Sequence, residues 1–440
     1  MYSNKYIYKV AFPIFLSLFA QNIINVIDTA FLGRYGEIEL GASAIGGIFY
    51  LAIFMLGFGF STGSQILIAR RNGERKYGEI GQIMLQGVLF LLVIAVLLFA
   101  FTRISSSSLL RLMVSSEHVY RAALEFLNYR IYGFFFSFVN VMFRAFYVGI
   151  TKTKVLTINA LLMMLVNVIL DYLLIFGNFG CPRLGIAGAA IASVCAEAAS
   201  VLFFIVYTVC FINIRKYGFL QKFSLKFTVI QKILSISIYT MAQSFVSIST
   251  WFLFFVAVEH LGEQALAVSN IIRSFYMFLF MPVSALAITA NSLVSNLIGE
   301  GKKEQVFSLI KRILKLAFMV IVPLIILICL TPRIMLSIYT DNAALIDASV
   351  SSLLVISGCF LICAAGSVFF SSVSGTGNTR AALLIEIFAL SFYLLFMYVI
   401  IYRLQMPLFI CWIIELVYWG LILIASSVYL KKGTWKKKII

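Results

Sequence analysis

The sequence is poor in charge: aspartate, glutamate, lysine and arginine together make up 12% of its 440 residues. Hydrophobic residues make up 62%, and the mean hydropathy is +1.04. A soluble protein could not bury that much apolar surface, and runs of about 18 or more apolar residues recur along the whole chain. The shortage of charge therefore excludes a soluble domain and predicts an all-α integral membrane protein.

Other scarce residues exclude classes of function. The two histidines, His118 and His260, fall between the predicted spans, which argues against a histidine proton relay and against the histidine–carboxylate or metal constellation of a membrane transferase. No Walker-type glycine loop occurs, so direct use of ATP is not expected. The seven cysteines form no CxxC pair and predict neither a metal site nor a disulfide framework. We therefore expect no enzymatic activity and no organic cofactor.

Hydrophobic runs predict twelve transmembrane helices. Their approximate ranges are 10–32, 42–69, 80–102, 126–149, 154–176, 186–212, 233–258, 265–297, 313–330, 350–373, 381–402 and 408–430. Of the 34 lysines and arginines, 25 lie near the termini and the connections that follow even-numbered spans. The connections that follow odd-numbered spans hold eight, Arg130 among them. By the positive-inside rule, this predicts a multi-pass protein of the inner (plasma) membrane with both termini in the cytoplasm. Because the net charge of +17 is spread over these connections, it does not indicate binding to nucleic acid.

The chain is predicted to be an internal duplication. At a constant shift of 226 residues, Gly36-Glu37 aligns with Gly262-Glu263 and Gly149 aligns with Gly375. Each half holds six spans, so the halves share one orientation and are expected to be related by an axis along the membrane normal. These features predict two pseudo-symmetric six-helix bundles, residues 1–212 and 233–440, joined by a basic cytoplasmic linker over 213–232.

The first hydrophobic run, Val10 to Leu32, contains polar residues where a spanning helix is expected to be apolar. Asp28 lies about two-thirds of the way along it, and a carboxylate inside a span costs at least about 2.5–3.5 kcal/mol. Gln21 lies two helical turns earlier on the same face, and Pro13 removes a backbone donor and permits a bend. The cost favours a functional role for Asp28; the alternative is that Asp28 ends the helix near the membrane interface.

The spacing of Pro13, Gln21, Asp28 and Gly33 resembles the opening helix of the multidrug and toxic compound extrusion (MATE) transporters. Four further segments resemble the same family: Ala69-Arg70-Arg71-Asn72-Gly73-Glu74, Leu297-Ile298-Gly299-Glu300-Gly301, Arg144 to Lys154, and Gly375-Thr376-Gly377-Asn378-Thr379. The resemblance covers essentially the whole chain. It implies two six-helix bundles that work by alternating access, with export driven by inward movement of sodium or protons.

The resemblance also implies an ion site in the amino-terminal bundle. The family's first-span aspartate corresponds to Asp28, its fifth-span pair to Asn167 and Asp171, and its sixth-span hydroxyl to Ser193. Some members carry an aspartate in the tenth span, and this sequence does not. Coupling through the carboxyl-terminal bundle is therefore not expected.

Asn167 and Asp171 stand one helical turn apart, so their side chains share a face. If they face Asp28 from another helix, the oxygens of the three residues suit a sodium ion. They also suit a shared proton, because two close carboxylates in a dry site cannot both stay ionised. The alternative is that Asp171 only caps the helix near Gly177.

Comparison of the two halves bears on these alternatives. At the shift of 226 residues, Asp28 corresponds to Phe254 and Asp171 corresponds to Met397. A carboxylate required by the fold would be expected in both halves. The asymmetry therefore favours a functional site in the first bundle alone.

Four other charged residues within predicted spans have open roles. Glu197 follows Ser193 by one helical turn and either joins the polar site or faces a water-filled cleft. Glu386 and Glu415 are single carboxylates in the last two spans, where they either attract a cationic substrate or, for Glu386, contact solvent at a cytoplasmic end. Arg273 either pairs with one of these two glutamates or has a structural role.

Together these features predict a secondary-active exporter of small, cationic, amphipathic compounds that exchanges them for sodium or protons. We expect a monomer whose partners are its substrate and membrane lipid. One alternative is a lipid-linked saccharide flippase of the same superfamily, although such flippases tend to line the central cleft with several arginines and Arg273 stands alone here. A membrane transferase is the alternative from another functional class.

Overall fold

The computed structural model describes residues 2–114, 116–221 and 226–437. The α-helices are α1 (Asn4–Tyr35), α2 (Glu37–Gly73), α3 (Tyr77–Met113), α4 (Glu117–Arg130), α5 (Gly133–Gly149), α6 (Lys154–Phe176), α7 (Ile186–Phe211), α8 (Phe227–Glu259), α9 (Glu263–Gly299), α10 (Val306–Leu330), α11 (Pro332–Ser337), α12 (Ala343–Gly375), α13 (Thr379–Met397), α14 (Leu408–Cys411) and α15 (Ile414–Lys432). Short 3₁₀ turns cover Asn178–Gly180, Lys303–Gln305 and Thr434–Lys437, and a π-helical turn covers Tyr398–Arg403. The described residues contain no strand, and the predicted all-α class is confirmed.

Within the described residues, eleven helical segments are long and apolar enough to cross a membrane, and α4 with α5 makes a twelfth if this pair is counted as one span. The prediction of twelve spans agrees with this number. The axes of α4 and α5 are bent relative to each other by 54°. The predicted fourth span, 126–149, did not anticipate this bend. A side chain at Gly133 would collide with the side-chain ends of Arg130, Glu197 and Tyr50, so the packing of these three side chains at the start of α5 requires a residue without a Cβ.

The chain divides into two compact units. The amino-terminal unit is Phe12–Met241, and the carboxyl-terminal unit combines Met1–Ala11 with Ala242–Ile440. These divisions fall inside α1 and α8, whereas the predicted bundles were divided at the 213–232 segment between α7 and α8. Residues 222–225 of that predicted linker lie outside the described residues.

Side-chain packing explains why the divisions fall inside helices. Ile7 and Ala11, in the first turns of α1, are buried in the apolar core of the carboxyl-terminal unit. In the amino-terminal unit, the Thr240 hydroxyl of α8 donates to the carbonyl oxygen of Gly59 at 2.6 Å, and the Ser237 hydroxyl donates to that of Phe60 at 3.0 Å. Each unit therefore includes part of a helix that, by sequence order, belongs mainly to the other.

Local geometry repeats at the predicted shift of 226 residues. A side chain at Gly149 would approach the Gln65 carbonyl oxygen at 3.2 Å, and one at Gly375 would approach the carbonyl oxygen of Asn291, the residue equivalent to Gln65, at 2.5 Å. Positive φ angles recur in the same way, at 59° for Arg75 and 77° for Gly301, and at 60° for Thr151 and 87° for Gly377. Corresponding turns and helix contacts within the two units thus share their backbone conformation.

The third span is longer than predicted. Its predicted end at residue 102 placed Ser105–Ser108 in an outer loop, but α3 continues to Met113 and Ser106 is buried. The helix extends because residues 103–111 contain no glycine or proline to stop it.

The predicted orientation can be tested at this end of α3. A Ser108→Cys variant, in a background without the native cysteines, is expected to react with an impermeant maleimide in intact cells, because Ser108 is exposed and belongs to a predicted outer segment. Lys431→Cys, at the predicted cytoplasmic end of α15, is the matched control and should react only after permeabilisation. The reverse pattern would contradict the orientation.

Candidate functional site

Asp28 lies inside α1, because the helix continues to Tyr35. The residue is half-buried, and its Oδ1 atom is shielded from solvent without a hydrogen-bond partner among the described residues. The alternative that Asp28 ends the helix is therefore wrong. The carboxylate lies inside the membrane-spanning part of α1. The free-energy cost of a charge at that place therefore requires an explanation other than the end of a helix.

Asp171 is fully buried in α6. Gly177, in the left-handed conformation with φ of 75°, ends this helix through its own N–H, which donates to the Leu173 carbonyl oxygen at 3.0 Å. Neither oxygen of Asp171 has a hydrogen-bond partner in the part of the chain that the structure describes. Asp171 therefore does not cap the helix.

Asp28 approaches Asn167 and Asp171 from the neighbouring helix, so the structure brings the three predicted residues together. The side-chain oxygen and nitrogen of Asn167 and both Asp171 oxygens are buried and lack hydrogen-bond partners among the described residues. Buried polar atoms are nearly always paired, and a bound ion is one reason for an exception. Carboxylate and amide oxygens are hard ligands, and this set can hold a sodium ion or a proton.

A buried ion pair lies beside these residues. Arg130, the last residue of α4, contacts Glu197 of α7 through two parallel hydrogen bonds, Nη2 to Oε1 at 2.7 Å and Nη1 to Oε2 at 3.0 Å. The guanidinium lies 3.7 Å from the ring centroid of Tyr50, whose hydroxyl donates to Ser137 Oγ at 3.1 Å and lies 3.3 Å from Glu197 Oε1. Such a bidentate pair fixes the guanidinium in one orientation.

Arg130 also interacts electrostatically with Asp28, which links the ion pair to the three-residue cluster. If all groups were ionised, Asp28, Asp171 and Glu197 would carry three negative charges against one positive charge on Arg130. The unbalanced charge of −2 favours uptake of a cation at Asp28 and Asp171, because Glu197 already has its partner.

Polar contacts continue from Glu197 into the unit. Asn140 Nδ2 donates to the Glu197 carbonyl oxygen at 3.0 Å, and the Ser200 hydroxyl donates to Asn140 Oδ1 at 2.8 Å. Asn159 Nδ2 in turn donates to Ser200 Oγ at 2.8 Å. This network joins α5, α6 and α7 around the ion pair and stabilises the position of Glu197.

Residues 13–173 and 235–399 match the MatE family model, which is more than half of the chain. This chain belongs to the MatE family. It is 26% identical over 388 residues to a probable multidrug resistance protein NorM from Thermotoga maritima, covering 87% of this chain and 82% of the relative. It is 31% identical over 182 residues to a probable multidrug resistance protein NorM from Bacillus cereus, covering 41% of this chain and 40% of the relative.

Solved structures share the fold of this MatE-family protein. An outward-facing multidrug resistance MATE family transporter of the MOP superfamily superposes with a TM-score of 0.90 at 19% identity, covering 99% of this chain and 97% of the other. A MOP superfamily transporter from Pyrococcus furiosus, described as having a binding pocket of reversed polarity, gives a TM-score of 0.88 at 20% identity with the same coverage.

Three other residues of the predicted site occupy different places in this MatE-family protein. Ser193 is half-buried on α7, and Gln21 is exposed on α1; neither hydrogen-bonds to the cluster in the described ranges. Pro13 is buried within a continuous α1, and its carbonyl oxygen accepts a hydrogen bond from the Thr157 hydroxyl at 3.1 Å. Pro13 lies next to the division between the units, at Ala11 and Phe12.

Arg130 is the main residue that sequence reasoning missed in this MatE-family protein. It was counted with the outer connections, and the structure instead buries it against Glu197. Its position inside the hydrophobic stretch 126–149, three residues before Gly133, was the available signal. Asn140, Asn159 and Ser200 were also missed, although each is a polar residue within a predicted span.

Proposed function

We propose that this MatE-family protein is a secondary-active exporter of small organic compounds, chiefly cationic and amphipathic ones, exchanged for sodium or protons. The observation that carries the proposal is the set of buried, unpaired oxygens of Asn167 and Asp171 opposite Asp28 in membrane-spanning helices. The relatives named as multidrug resistance proteins support the substrate class. We expect a lipid-embedded monomer that needs no cofactor besides the coupling ion and has no enzymatic activity.

In this proposal, cation binding changes the charge of α1 and α6. With the site empty, two carboxylates would repel each other in a dry environment; a bound sodium ion or proton removes that repulsion. Occupied and empty states thus favour different separations of the two helices. Pro13 lacks the N–H that would bond the preceding turn, so α1 has a place to bend as the separation changes.

The membrane potential provides part of the driving force. Each positive charge that moves inward across it contributes about 2.3 kcal/mol per 100 mV. A free energy of that size changes the ratio of two closely balanced conformations by more than tenfold. Exchange also requires that binding of the cation and binding of the substrate shift the balance between the two conformations in opposite directions.

The rival functions predict different features. A lipid-linked saccharide flippase would be expected to use several arginines for an anionic substrate, whereas the buried arginine beside this cluster, Arg130, is already paired with Glu197. A transferase would require a reactive constellation near one membrane face. The MatE family match favours transport over both chemical transfer and a purely structural role.

The experiment that tests the proposal uses purified protein in proteoliposomes and a fluorescent organic cation. We expect the cation to accumulate when a sodium gradient or a proton gradient of the right direction is imposed, and to leak back when an ionophore collapses that gradient. Protein-free liposomes are the control for carrier-independent uptake. Failure of both gradients to move the cation, together with gradient-independent movement of a labelled lipid-linked saccharide, would favour the flippase instead.

A further inference from the structure

Two buried glutamates lie in the carboxyl-terminal unit, at sequence positions that are not the repeat equivalents of Asp28 and Asp171. Glu386 on α13 accepts hydrogen bonds from the hydroxyl of Ser247 and from that of Tyr418, the latter at 2.6 Å, both at Oε1. Glu386 is 1% exposed, so it does not contact solvent as one of its predicted roles required. Its donors are neutral hydroxyl groups.

Glu415 on α15 is held in a similar way. The Tyr276 hydroxyl donates to Glu415 Oε2 at 3.1 Å and accepts a hydrogen bond from Trp419 Nε1 at 3.2 Å. Glu415 is 3% exposed. Both glutamates are thus enclosed by aromatic hydroxyl groups and rings inside one unit.

Neither glutamate forms an ion pair in the described ranges of the chain. Arg273, the expected partner, is exposed and lies over the Phe255 ring at 5.5 Å from its centroid. The titratable groups that interact with the two carboxyl groups are Tyr276 of α9, Cys359 and Cys363 of α12, Tyr393 of α13, and Tyr418 of α15. These groups are neutral at physiological pH, so none balances a carboxylate charge.

Two further polar groups at this place lack a partner. The Tyr393 hydroxyl and the Trp412 Nε1 are buried and form no hydrogen bond with any described residue. The Tyr393 ring packs edge-on against that of Tyr418, which donates to Glu386, and Trp412 precedes Glu415 by three residues on the adjoining turn. The buried part of the unit that holds the two carboxyl groups therefore also contains these two unused donors.

We propose that Glu386 and Glu415 form a proton-binding site in the carboxyl-terminal unit, separate from the Asp28–Asn167–Asp171 cluster. A buried carboxyl group without a counter-ion is far more stable when a proton neutralises it. On loss of the proton, the O–H of Tyr393 and the N–H of Trp412 are donors available to the resulting carboxylate. The proton is the fitting ligand because the groups that contact both glutamates are hydroxyl groups, which can donate to a carboxylate or accept from a carboxylic acid.

This site deepens the proposed function by adding a second place where protons bind during the transport cycle. It replaces the expectation that the carboxyl-terminal unit takes no part in coupling. The two sites are not repeat equivalents, because Glu386 and Glu415 correspond at the 226-residue shift to Ala160 and Ala189. Each unit would thus bind protons through carboxylates at different helical positions.

The native tryptophans provide a test that does not depend on transport. All four, Trp251, Trp412, Trp419 and Trp435, belong to the carboxyl-terminal unit. We expect the fluorescence of the purified protein to change in a reversible transition with pH, because protonation alters the field and hydrogen bonds around Trp412 and Trp419. Glu415→Gln should remove most of this transition, Glu386→Gln should shift its midpoint, and Asp171→Asn should leave it intact.

A second readout distinguishes loss of the proton site from misfolding of the variants. In infrared difference spectra, the band of a protonated carboxyl group should be smaller in Glu415→Gln and Glu386→Gln than in the wild type, while circular dichroism stays helical. A fluorescence transition that persists in the Glu386→Gln/Glu415→Gln double variant would overturn the site. An unchanged carboxyl band in the folded double variant would also overturn the site. Because both readouts use purified protein without substrate, they remain informative even if the transport proposal fails.

Discussion

Asp28→Asn is expected to abolish ion-driven efflux while the protein still reaches the membrane. The substitution removes the α1 charge from the cluster and leaves Asp171 with a neutral neighbour. A carboxylate and a monovalent cation about 4 Å apart attract each other by about 4 kcal/mol at an effective dielectric constant of 20. Loss of only a third of that would weaken cation binding about tenfold. We expect gradient-driven transport of the fluorescent cation to fall at least that far.

The matched control is Asp347→Asn, the same chemical change at an exposed aspartate in the other unit. Asp347 pairs on the surface with Arg333 at 3.0 Å, and exposed pairs contribute little to stability. Transport in this variant should equal that of the wild type. If Asp28→Asn retained full ion-driven efflux under the same conditions, Asp28 would not be the coupling residue.

Glu197→Gln is expected to weaken sodium binding about tenfold or more, although Glu197 itself is not one of the proposed sodium ligands. Glu197 holds Arg130 through two hydrogen bonds, and Arg130 also interacts electrostatically with Asp28. Without the Glu197 charge, the nearest anion for the buried guanidinium is Asp28. Arg130 would then act as a tethered cation that competes with the coupling ion for the same carboxylate.

Arg130→Gln should have the opposite effect on affinity. It removes the competing positive charge, so sodium or protons should bind more tightly to Asp28 and Asp171. It also leaves Glu197 buried without a partner, and breaking a buried pair this way costs about 3–5 kcal/mol of stability. The double variant Arg130→Gln/Glu197→Gln should recover much of the thermal stability, because both charges are gone.

A surface pair on the same helix is the control for this series. Arg121 and Glu117 form an ion pair of 2.8 Å on the exposed face of α4. Arg121→Gln should change neither sodium affinity nor thermal stability by a measurable amount. Sodium affinity in Glu197→Gln equal to that of the wild type would show that Arg130 does not influence the cluster.

The helical architecture and the duplication were predictable because they depend on patterns spread over many residues. Hydropathy marks each span, and a shift repeated along the chain does not depend on any single match. The shared positive φ angles of Arg75 and Gly301 reflect the same duplication in the backbone. The ends of helices were less predictable, as α3 shows, because no glycine or proline marks where an exposed helix stops.

The site was predictable only in part, for a related reason. Asp28, Asn167 and Asp171 stand out because each is polar in an apolar segment, and the structure brings these residues together. Arg130 lies at a bend that the hydropathy pattern does not reveal, and its partner Glu197 is 67 residues away in sequence. Nor does the sequence show that Phe254 and Met397, at positions equivalent to Asp28 and Asp171, are buried in the same apolar core.

Whether Asp28, Asn167 and Asp171 share one cation can be measured as sodium binding to the purified protein across pH. Equilibrium binding of radioactive sodium should weaken as pH falls in the wild type, because protons and sodium compete for the oxygens of Asp28 and Asp171. Bound sodium should also raise the melting temperature in proportion to occupancy. Both effects should disappear in Asp171→Asn. Sodium binding in Asp171→Asn that matches the wild type at every pH would contradict the shared site.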